Sequence, residues 1–235
     1  MEIIRYNRVT STNALAKRLA DNNAGEWTVV VSEAQTKGKG RAGHSWISPK
    51  GGLWFSIILR PRIDADKIPL IQFLAANGLR QAVDQATGLS SQVKWPNDLV
   101  MSGKKLAGIL IETRIDGKVV YAVIGIGLNV NMTDKMLPSG AVSLFTATDQ
   151  KFDLEDILDL ILEALEKCYK KLDDNEAIMR EWWDHCVHRL RPVMIRTPTG
   201  IVSGKCVGVK GDGSIVIRRG TVEESISEGS LILTD

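Results

Sequence analysis

A glycine-rich basic segment over residues 35–46 is the first candidate for chemistry, with the sequence Q-T-K-G-K-G-R-A-G-H-S-W. Its glycines match the letters G-x-G-x-x-G, but the proline and glycines that follow exclude the helix that a dinucleotide-binding motif must open. What remains is a flexible loop with Lys37, Lys39 and Arg41, whose cations and backbone N–H groups can close over an anion such as phosphate. A solvated basic surface loop is the alternative.

A second candidate comes from the alternation of residue types along residues 123–131. Strand geometry places Gly125, Gly127, Asn129 and Asn131 on one face and aliphatic side chains on the other. Two glycines and two asparagines make a poor core, and glycine inside a strand often marks the close approach of a ligand. A bulge or a tight contact between backbones is the alternative.

Polar residues around a short proline-containing motif are the third candidate. Lys105 stands at the start of an apolar strand, where its ammonium group can project into a pocket or extend to solvent. Asn97 and Asp98 follow Pro96 and are typical of a turn. Two histidines flank Cys186, but a fourth ligand is missing from the pattern, so we predict no metal site built by protein ligands.

The surrounding segments predict a mixture of helices and strands that would position these residues. Capping residues and apolar spacing predict four helices. The first begins after Ser11, and the second runs from Ile68, with Pro69 in its first turn, to Gly88. The third begins after Asp153, and the fourth runs through Trp182 to about His188. Runs of apolar and β-branched residues predict strands over 28–32, 51–59, 93–95, 106–112 and 119–130, the last two joined by a turn at Asp116 and Gly117.

The pattern of residue types along the sequence changes near residue 190. Short strand-like runs then alternate with glycine-containing turns at intervals of about ten residues. This spacing is typical of a small all-β barrel or sandwich. We therefore predict a larger domain over residues 1–190 and a small C-terminal domain over residues 191–235.

Composition narrows the class of protein. The 235 residues are 44% hydrophobic and 25% charged, which excludes a disordered, collagen-like or coiled-coil chain. A net charge of +2 argues against nucleic-acid binding through bulk charge. Three widely separated cysteines favour free thiols in a reducing, cytoplasmic location. The sequence shows neither an apolar leader nor an apolar run long enough to span a bilayer, so we expect no membrane contact.

Taken together, the motifs resemble the biotin–protein ligase family. They are S-T-N at 11–13, Q-x-x-G-K-G-R at 35–41 with Trp46, G-G-L-W at 51–54, K-W-P-N-D at 94–98, K-L-A-G-I-L-I-E at 105–112 and G-I-G-L-N-V-N at 125–131. The resemblance implies an α+β fold, in which a mixed β-sheet domain with flanking helices, of the class II synthetase-like type, precedes the small barrel. It also implies an enzyme that uses ATP and Mg²⁺ to form biotinyl-5′-AMP and then transfers biotin to a lysine of a biotin carboxyl carrier protein.

The same resemblance assigns roles to individual residues. Catalysis would rest on Arg41 near the phosphate, on Lys105 between carboxylate and α-phosphate, and on Asp98 near the nucleotide or the incoming lysine. Ser11, Thr12 and Gln35 would hydrogen-bond the ureido group of biotin. The full implied binding set is Ser11, Thr12, Asn13, Gln35, Gly38, Lys39, Gly40, Arg41, Trp46, Asn97, Lys105, Gly108, Gly125, Gly127 and Asn129.

Some features depart from the family pattern or leave the function open. Lys39 stands where arginine is usual, which keeps the charge but loses bidentate geometry. Because the first motif begins at Ser11, we expect a ligase without the N-terminal DNA-binding domain of many bacterial members. A lipoyl or octanoyl ligase of the same fold and a biotin-binding regulator without catalysis are the alternatives. The sequence also leaves a monomer and a homodimer open.

Overall fold

The computed structural model describes residues 1–232, and its largest element is a mixed seven-stranded sheet. The strands are β1 (Glu2–Tyr6), β2 (Thr28–Ser32), β3 (Leu53–Leu59), β4 (Gln92–Lys94), β5 (Asp98–Met101), β6 (Lys104–Asp116) and β7 (Lys118–Leu128). They lie in the order β1-β2-β3-β7-β6-β5-β4, with β1 parallel to β2 and all other neighbours antiparallel. The predicted Asp-Gly turn joins β6 to β7, with Gly117 at φ 65°.

Within residues 1–232, five α-helices accompany this sheet. They are α1 (Thr12–Asp21), α2 (Ile68–Thr87), α3 (Leu144–Thr148), α4 (Leu154–Tyr169) and α5 (Asn175–Asp184). The predicted start signals of α1, α2 and α4 are confirmed: Ser11 caps α1, Pro69 lies in the first turn of α2, and Asp153 caps α4. Gly88 ends α2 in the left-handed conformation, as predicted.

The prediction for α5 is wrong at its C-terminal end, because the helix stops at Asp184 rather than near His188. Residues 185–187 instead run beside β4. There Val93 donates its N–H to the His185 carbonyl and accepts from the Val187 N–H, both at 3.0 Å. Pairing with the edge of the sheet therefore outweighs the helical spacing of these residues.

The main hydrophobic core lies between the large sheet and α2, α4 and α5. Ile124, Ile126 and Leu128 of β7 point into this core. The helix α1 packs on the opposite face and forms a smaller apolar cluster with β2, β3 and β7. Because side chains alternate along a strand, Gly125 and Gly127 lie on the α1 face, where a groove can form.

The C-terminal strands form a second, antiparallel sheet. They are β8 (Pro192–Thr197), β9 (Gly200–Val209), β10 (Ile215–Arg219), β11 (Val222–Ile226) and β12 (Ser230–Ile232), in the order β11-β10-β9-β8-β12. Ile195 and Ile215 are fully buried in the same core as the large sheet. Trp95 also crosses between the sheets, since its Nε1–H donates to the Gly213 carbonyl at 2.9 Å. The predicted fold class, a mixed sheet with helices followed by a small all-β unit, is confirmed.

Three short elements are not predicted by the sequence patterns: β1, β5 and α3. Asp98, expected in a turn, is the first residue of β5, because residues 98–101 pair with both β4 and β6. Across residues 1–232, every helix is too short or too polar to cross a bilayer.

Candidate active site

A cavity of about 460 Å³ opens on the α1 face of the large sheet, over β6 and β7. Its wall is built by the start of α1, the basic loop of residues 35–46 and the β4–β5 hairpin. The C-terminal sheet closes another side through residues 196–198 and 228–231. The cavity is therefore assembled from segments that lie far apart in the sequence.

One end of the cavity is lined by hydrogen-bonding side chains that carry no charge. Ser11, Thr12 and Asn13 at the start of α1 are all buried. Gln35 Oε1 accepts from the Thr12 N–H at 2.8 Å and lies 3.2 Å from Thr12 Oγ1. Ser56 Oγ lies 2.6 Å from Asn13 Oδ1 and 2.8 Å from Thr12 Oγ1. A ligand at this end meets donors and acceptors that the protein already holds in place.

Glycines form the floor of the cavity because other side chains pass directly over them. A Cβ atom on Gly125 would overlap the side-chain oxygen of Asn13, and one on Gly127 would overlap Nε1 of Trp46. A Cβ atom on Gly108 would lie 2.8 Å from Cζ3 of the same indole ring. Gly125 and Gly127 thus face the cavity, as the alternation of the strand predicts, and the close approach explains why they are glycine.

The other end of the cavity is cationic. Lys105 Nζ lies 2.8 Å from Asp98 Oδ1 and 4.9 Å from the centre of the Trp46 ring. Lys94 stands opposite Asp98 in the β4–β5 pairing. Burial lowers the pKa of the Lys94 ammonium; Asp98 acts to raise it, and Lys105 lowers it further. Lys105 is thus ion-paired with Asp98, and Lys94 adds a second cation on the neighbouring strand.

The basic loop brings a guanidinium group to the same region. It turns at Arg41–Gly43, where φ is 49° at Ala42 and 77° at Gly43. Arg41 is half-buried at the cavity, and burial lowers the pKa of its guanidinium, which the charges of Asp98 and Glu228 act to raise. Because the ordinary pKa of arginine lies far above neutrality, Arg41 stays charged. The short turn of the basic loop thus places a permanently charged guanidinium group at the cavity.

Most of the sequence-predicted site residues meet in this one cavity. Those that line it are Ser11, Thr12, Asn13, Gln35, Lys39, Gly40, Arg41, Trp46, Asn97, Asp98, Lys105, Gly108, Gly125 and Gly127. Asn97 also anchors the hairpin, since its Nδ2 donates to the Ile109 carbonyl at 2.8 Å. The contact of each residue with a ligand stays a prediction.

Gly38 and Asn129 lie outside the lining of this cavity, and their contact with a ligand stays a prediction. Gly38 is needed inside the basic loop, because a Cβ atom there would overlap the Trp46 carbonyl. Asn129 follows the end of β7 at Leu128, and its Nδ2 donates to the Val142 carbonyl at 3.0 Å.

The sequence patterns missed several residues that line the cavity. Lys94 belongs to the K-W-P-N-D motif, so its position in that motif was the signal that could have found it. Arg196 and Glu228 come from the C-terminal sheet, and local sequence gives no sign that they reach the cavity. Among residues 1–232, the charged lining is Lys39, Arg41, Lys94, Lys105 and Arg196 against Asp98 and Glu228. This excess of cations favours an anionic ligand.

The chain belongs to the Biotin/lipoate A/B protein ligase family, whose family model matches residues 5–129. Over 221 residues it is 34% identical to the biotin–[acetyl-CoA-carboxylase] ligase of Paracoccus denitrificans, covering 90% of this chain and 92% of that protein. It is 35% identical over 223 residues to the bifunctional ligase/repressor BirA of Bacillus subtilis, covering 92% of this chain and 69% of that protein.

A solved structure carries the same fold with ligands bound. The biotin protein ligase of Aquifex aeolicus in complex with biotin and ATP superimposes with a TM-score of 0.85. It is 26% identical to this chain, and the match covers 98% of this chain and 97% of that one. The resemblance to biotin–protein ligases that the motifs indicated is thus confirmed.

Proposed function

We propose that this chain activates biotin with ATP to biotinyl-5′-AMP, releases pyrophosphate, and then transfers biotin to a lysine of a carrier protein. Its family and its relatives support this function. The observation that carries it is the cavity with a neutral hydrogen-bonding end and a cationic end. Biotin matches this lining, because its ureido head needs buried hydrogen-bond partners and its tail ends in a carboxylate.

In the first step a carboxylate oxygen of biotin attacks the α-phosphorus of ATP. A new P–O bond forms, the bond from the α-phosphorus to the bridging oxygen breaks, and pyrophosphate leaves with the electron pair. Because two anions must approach each other, fixed cations lower the barrier. Lys105 is suited to this role, since β6 holds its backbone while Asp98 and Trp46 hold its ammonium group.

In the second step the amine of the acceptor lysine attacks the acyl carbon of the adenylate. The C–N bond forms, the C–O bond breaks so that AMP leaves with the electron pair, and the nitrogen loses a proton to water. Asp98 is the carboxylate that would meet the incoming ammonium group, because it lines the cavity between Lys94 and Lys105. Arg41 and its loop would cover the adenylate and exclude water until the acceptor arrives.

Magnesium fits this site as a companion of ATP rather than as an ion held by the protein alone. Across residues 1–232, no three histidine, cysteine, aspartate or glutamate side chains are grouped to hold a metal. Mg²⁺ commonly binds through substrate phosphates, water and one or two carboxylates. The bound ion would neutralise charge on the phosphates.

Biotin-dependent exchange of pyrophosphate into ATP tests the proposed function. The reaction is run with the intact chain, ATP and Mg²⁺, with biotin, lipoate or octanoate as the acid. We expect exchange with biotin alone. Exchange that requires lipoate or octanoate would instead favour the lipoyl ligase alternative, and binding of biotin without any exchange would favour the regulator.

Three finer proposals accompany this activity. The acceptor is a biotin carboxyl carrier protein, as the name of the Paracoccus relative supports. The three cysteines are free and buried, which fits a reducing compartment such as the cytoplasm. The strand β1 ends the large sheet, and a homodimer could form by pairing of such edges, which analytical ultracentrifugation would detect.

A further inference from the structure

The hairpin between β4 and β5 carries charges of the cationic end of the cavity, and residues 95–97 form its tip. Lys94 and Asp98 lie opposite each other where the tip begins and ends, and both line the cavity. Asn97 anchors the tip to the large sheet. Its Nδ2 donates to the Ile109 carbonyl at 2.8 Å, and its own carbonyl accepts from the Ile109 N–H at 2.9 Å. The positions of the two charges therefore depend on how the tip is held.

The C-terminal sheet holds the same tip from another side. Trp95 is 1% exposed, and its Nε1–H donates to the carbonyl of Gly213, in the turn between β9 and β10, at 2.9 Å. This turn lies against the start of α2, because a Cβ atom built on Gly213 would lie 3.1 Å from Pro69 Cβ. Within residues 1–232, no other hydrogen bond joins the tip to the C-terminal sheet. The Trp95 indole is therefore the polar link between the second sheet and the hairpin.

The turn that presents the Gly213 carbonyl is shaped by its own hydrogen bonds. Asp212 Oδ1 accepts from the Ser214 N–H at 2.9 Å and from the Ser214 hydroxyl at 2.6 Å. The Lys210 carbonyl accepts from the Gly213 N–H at 2.9 Å, and the Lys210 N–H donates to the Ser214 carbonyl at 2.8 Å. Asp212 is exposed and does not line the cavity, so a ligand bound there does not meet it.

We propose that Trp95 is a positioning residue, through which the C-terminal sheet holds the hairpin charges in the arrangement that adenylate formation requires. Fixed charges lower a barrier only while they are held in the productive geometry, so a small displacement of the hairpin slows the reaction. The uncharged end of the cavity is held separately, by the bonds of Thr12 and Asn13 to Gln35 and Ser56. The inference rests on the proposed function and deepens it, since it assigns the second sheet to the nucleotide step rather than to biotin binding.

The substitution Trp95→Phe removes the Nε1–H donor and keeps an aromatic ring at this position. The Gly213 carbonyl then loses its partner, and the tip loses its polar link to the second sheet. We expect the single-turnover rate of biotinyl-5′-AMP formation to fall about tenfold, while the biotin Kd measured without ATP changes by less than about threefold. Trp182→Phe is the matched control, because Trp182 is also 1% exposed but lies on α5, outside the cavity lining. It should lower the Tm and keep the rate within about twofold.

The substitution Asp212→Ala tests the same link from the other side of the hydrogen bond. It loosens the turn that presents the Gly213 carbonyl and leaves the indole intact, so we expect adenylate formation to slow about fivefold with an unchanged biotin Kd. Asp212→Asn keeps an Oδ1 acceptor for Ser214 and should stay within about twofold of the wild-type rate. The double variant Trp95→Phe with Asp212→Ala should lie within about twofold of Trp95→Phe alone, because both changes act through one bond.

Single-turnover adenylate formation, calorimetric binding of biotin and thermal unfolding are measured for the wild type and these five variants. An unchanged rate in Trp95→Phe, or a biotin Kd that rises as much as the rate falls, would overturn the positioning role. Losses that multiply in the double variant would also overturn it, because the indole and the turn would then act independently. If Trp95→Phe fails to fold, the turn variants decide, since a full rate in Asp212→Ala or an equal loss in Asp212→Asn contradicts the proposal. Wild-type protein that forms no adenylate from biotin would instead refute the proposed function.

Discussion

Replacing Lys105 by methionine should slow formation of the adenylate by about a hundredfold, because a fixed donor that meets developing charge contributes about a hundred- to a thousandfold. Lys105 Nζ is held 2.8 Å from Asp98 Oδ1, and the two side chains are 40% and 16% exposed. Since two-fifths of the Lys105 side chain meets solvent, water replaces part of its effect. We therefore expect the lower end of the range. Single-turnover formation of biotinyl-5′-AMP, quenched at saturating biotin and ATP, measures this rate directly.

Lys104→Met is the matched control for this prediction. Lys104 is the neighbouring lysine on β6, but it is exposed and does not line the cavity. Its replacement should change the rate by less than about twofold. A Lys105→Met protein that keeps more than about a fifth of the wild-type rate would refute the argument from a preorganised cation. An equal loss in both variants would also refute it, since bulk charge would then be the cause.

Four further outcomes are expected. Arg41→Gly should raise biotin transfer to albumin for each adenylate formed, because the loop no longer holds the phosphate; an unchanged ratio would contradict this. Hydrogen exchange over residues 36–45 should slow on adding biotin with ATP, and equal protection with and without ligand would argue against an ordering loop. Gly125→Ala should weaken biotin binding about tenfold or more, because its Cβ displaces Asn13; calorimetry with an unaltered Kd would refute the close contact. Burial lowers the pKa of His188 from 6.5 to about 4, so the unfolded chain binds more protons in that window. The free energy of unfolding should therefore fall as pH drops from 6.5, by up to about 1.4 kcal/mol per pH unit, and His188→Gln should flatten this slope.

The sequence predicted correctly those helix ends that depend on capping residues or proline close by in the chain. Pro69 and Gly88 bound α2, and Asp153 caps α4, because capping depends on a few neighbouring residues. The end of α5 depends instead on β4, which pairs with residues 185–187 through Val93. Such long-range pairing leaves no local pattern, which is also why β1, parallel to β2 across α1, was missed.

In the candidate site, too, features set by neighbouring residues were predicted, whereas features set by long-range contacts were not. Gly125 and Gly127 were predicted to face a ligand because alternation is a local property of a strand. Asn129 directly follows the end of β7 at Leu128, and its predicted contact with a ligand stays a prediction. Arg196 and Glu228 could not be predicted, because they reach the cavity only through packing of the second sheet. The motifs indicated the type of reaction. Which residues line the cavity together depends on the tertiary fold.

Isolation of the activated intermediate tests the central claim most directly. The intact chain is incubated with biotin, Mg²⁺ and ATP labelled at the α-phosphate, and the bound nucleotide is identified by mass after rapid separation. We expect one biotinyl-5′-AMP per cavity together with released pyrophosphate. Recovery of unreacted ATP with biotin present, or of a lipoyl or octanoyl adenylate when those acids compete with biotin, would contradict it.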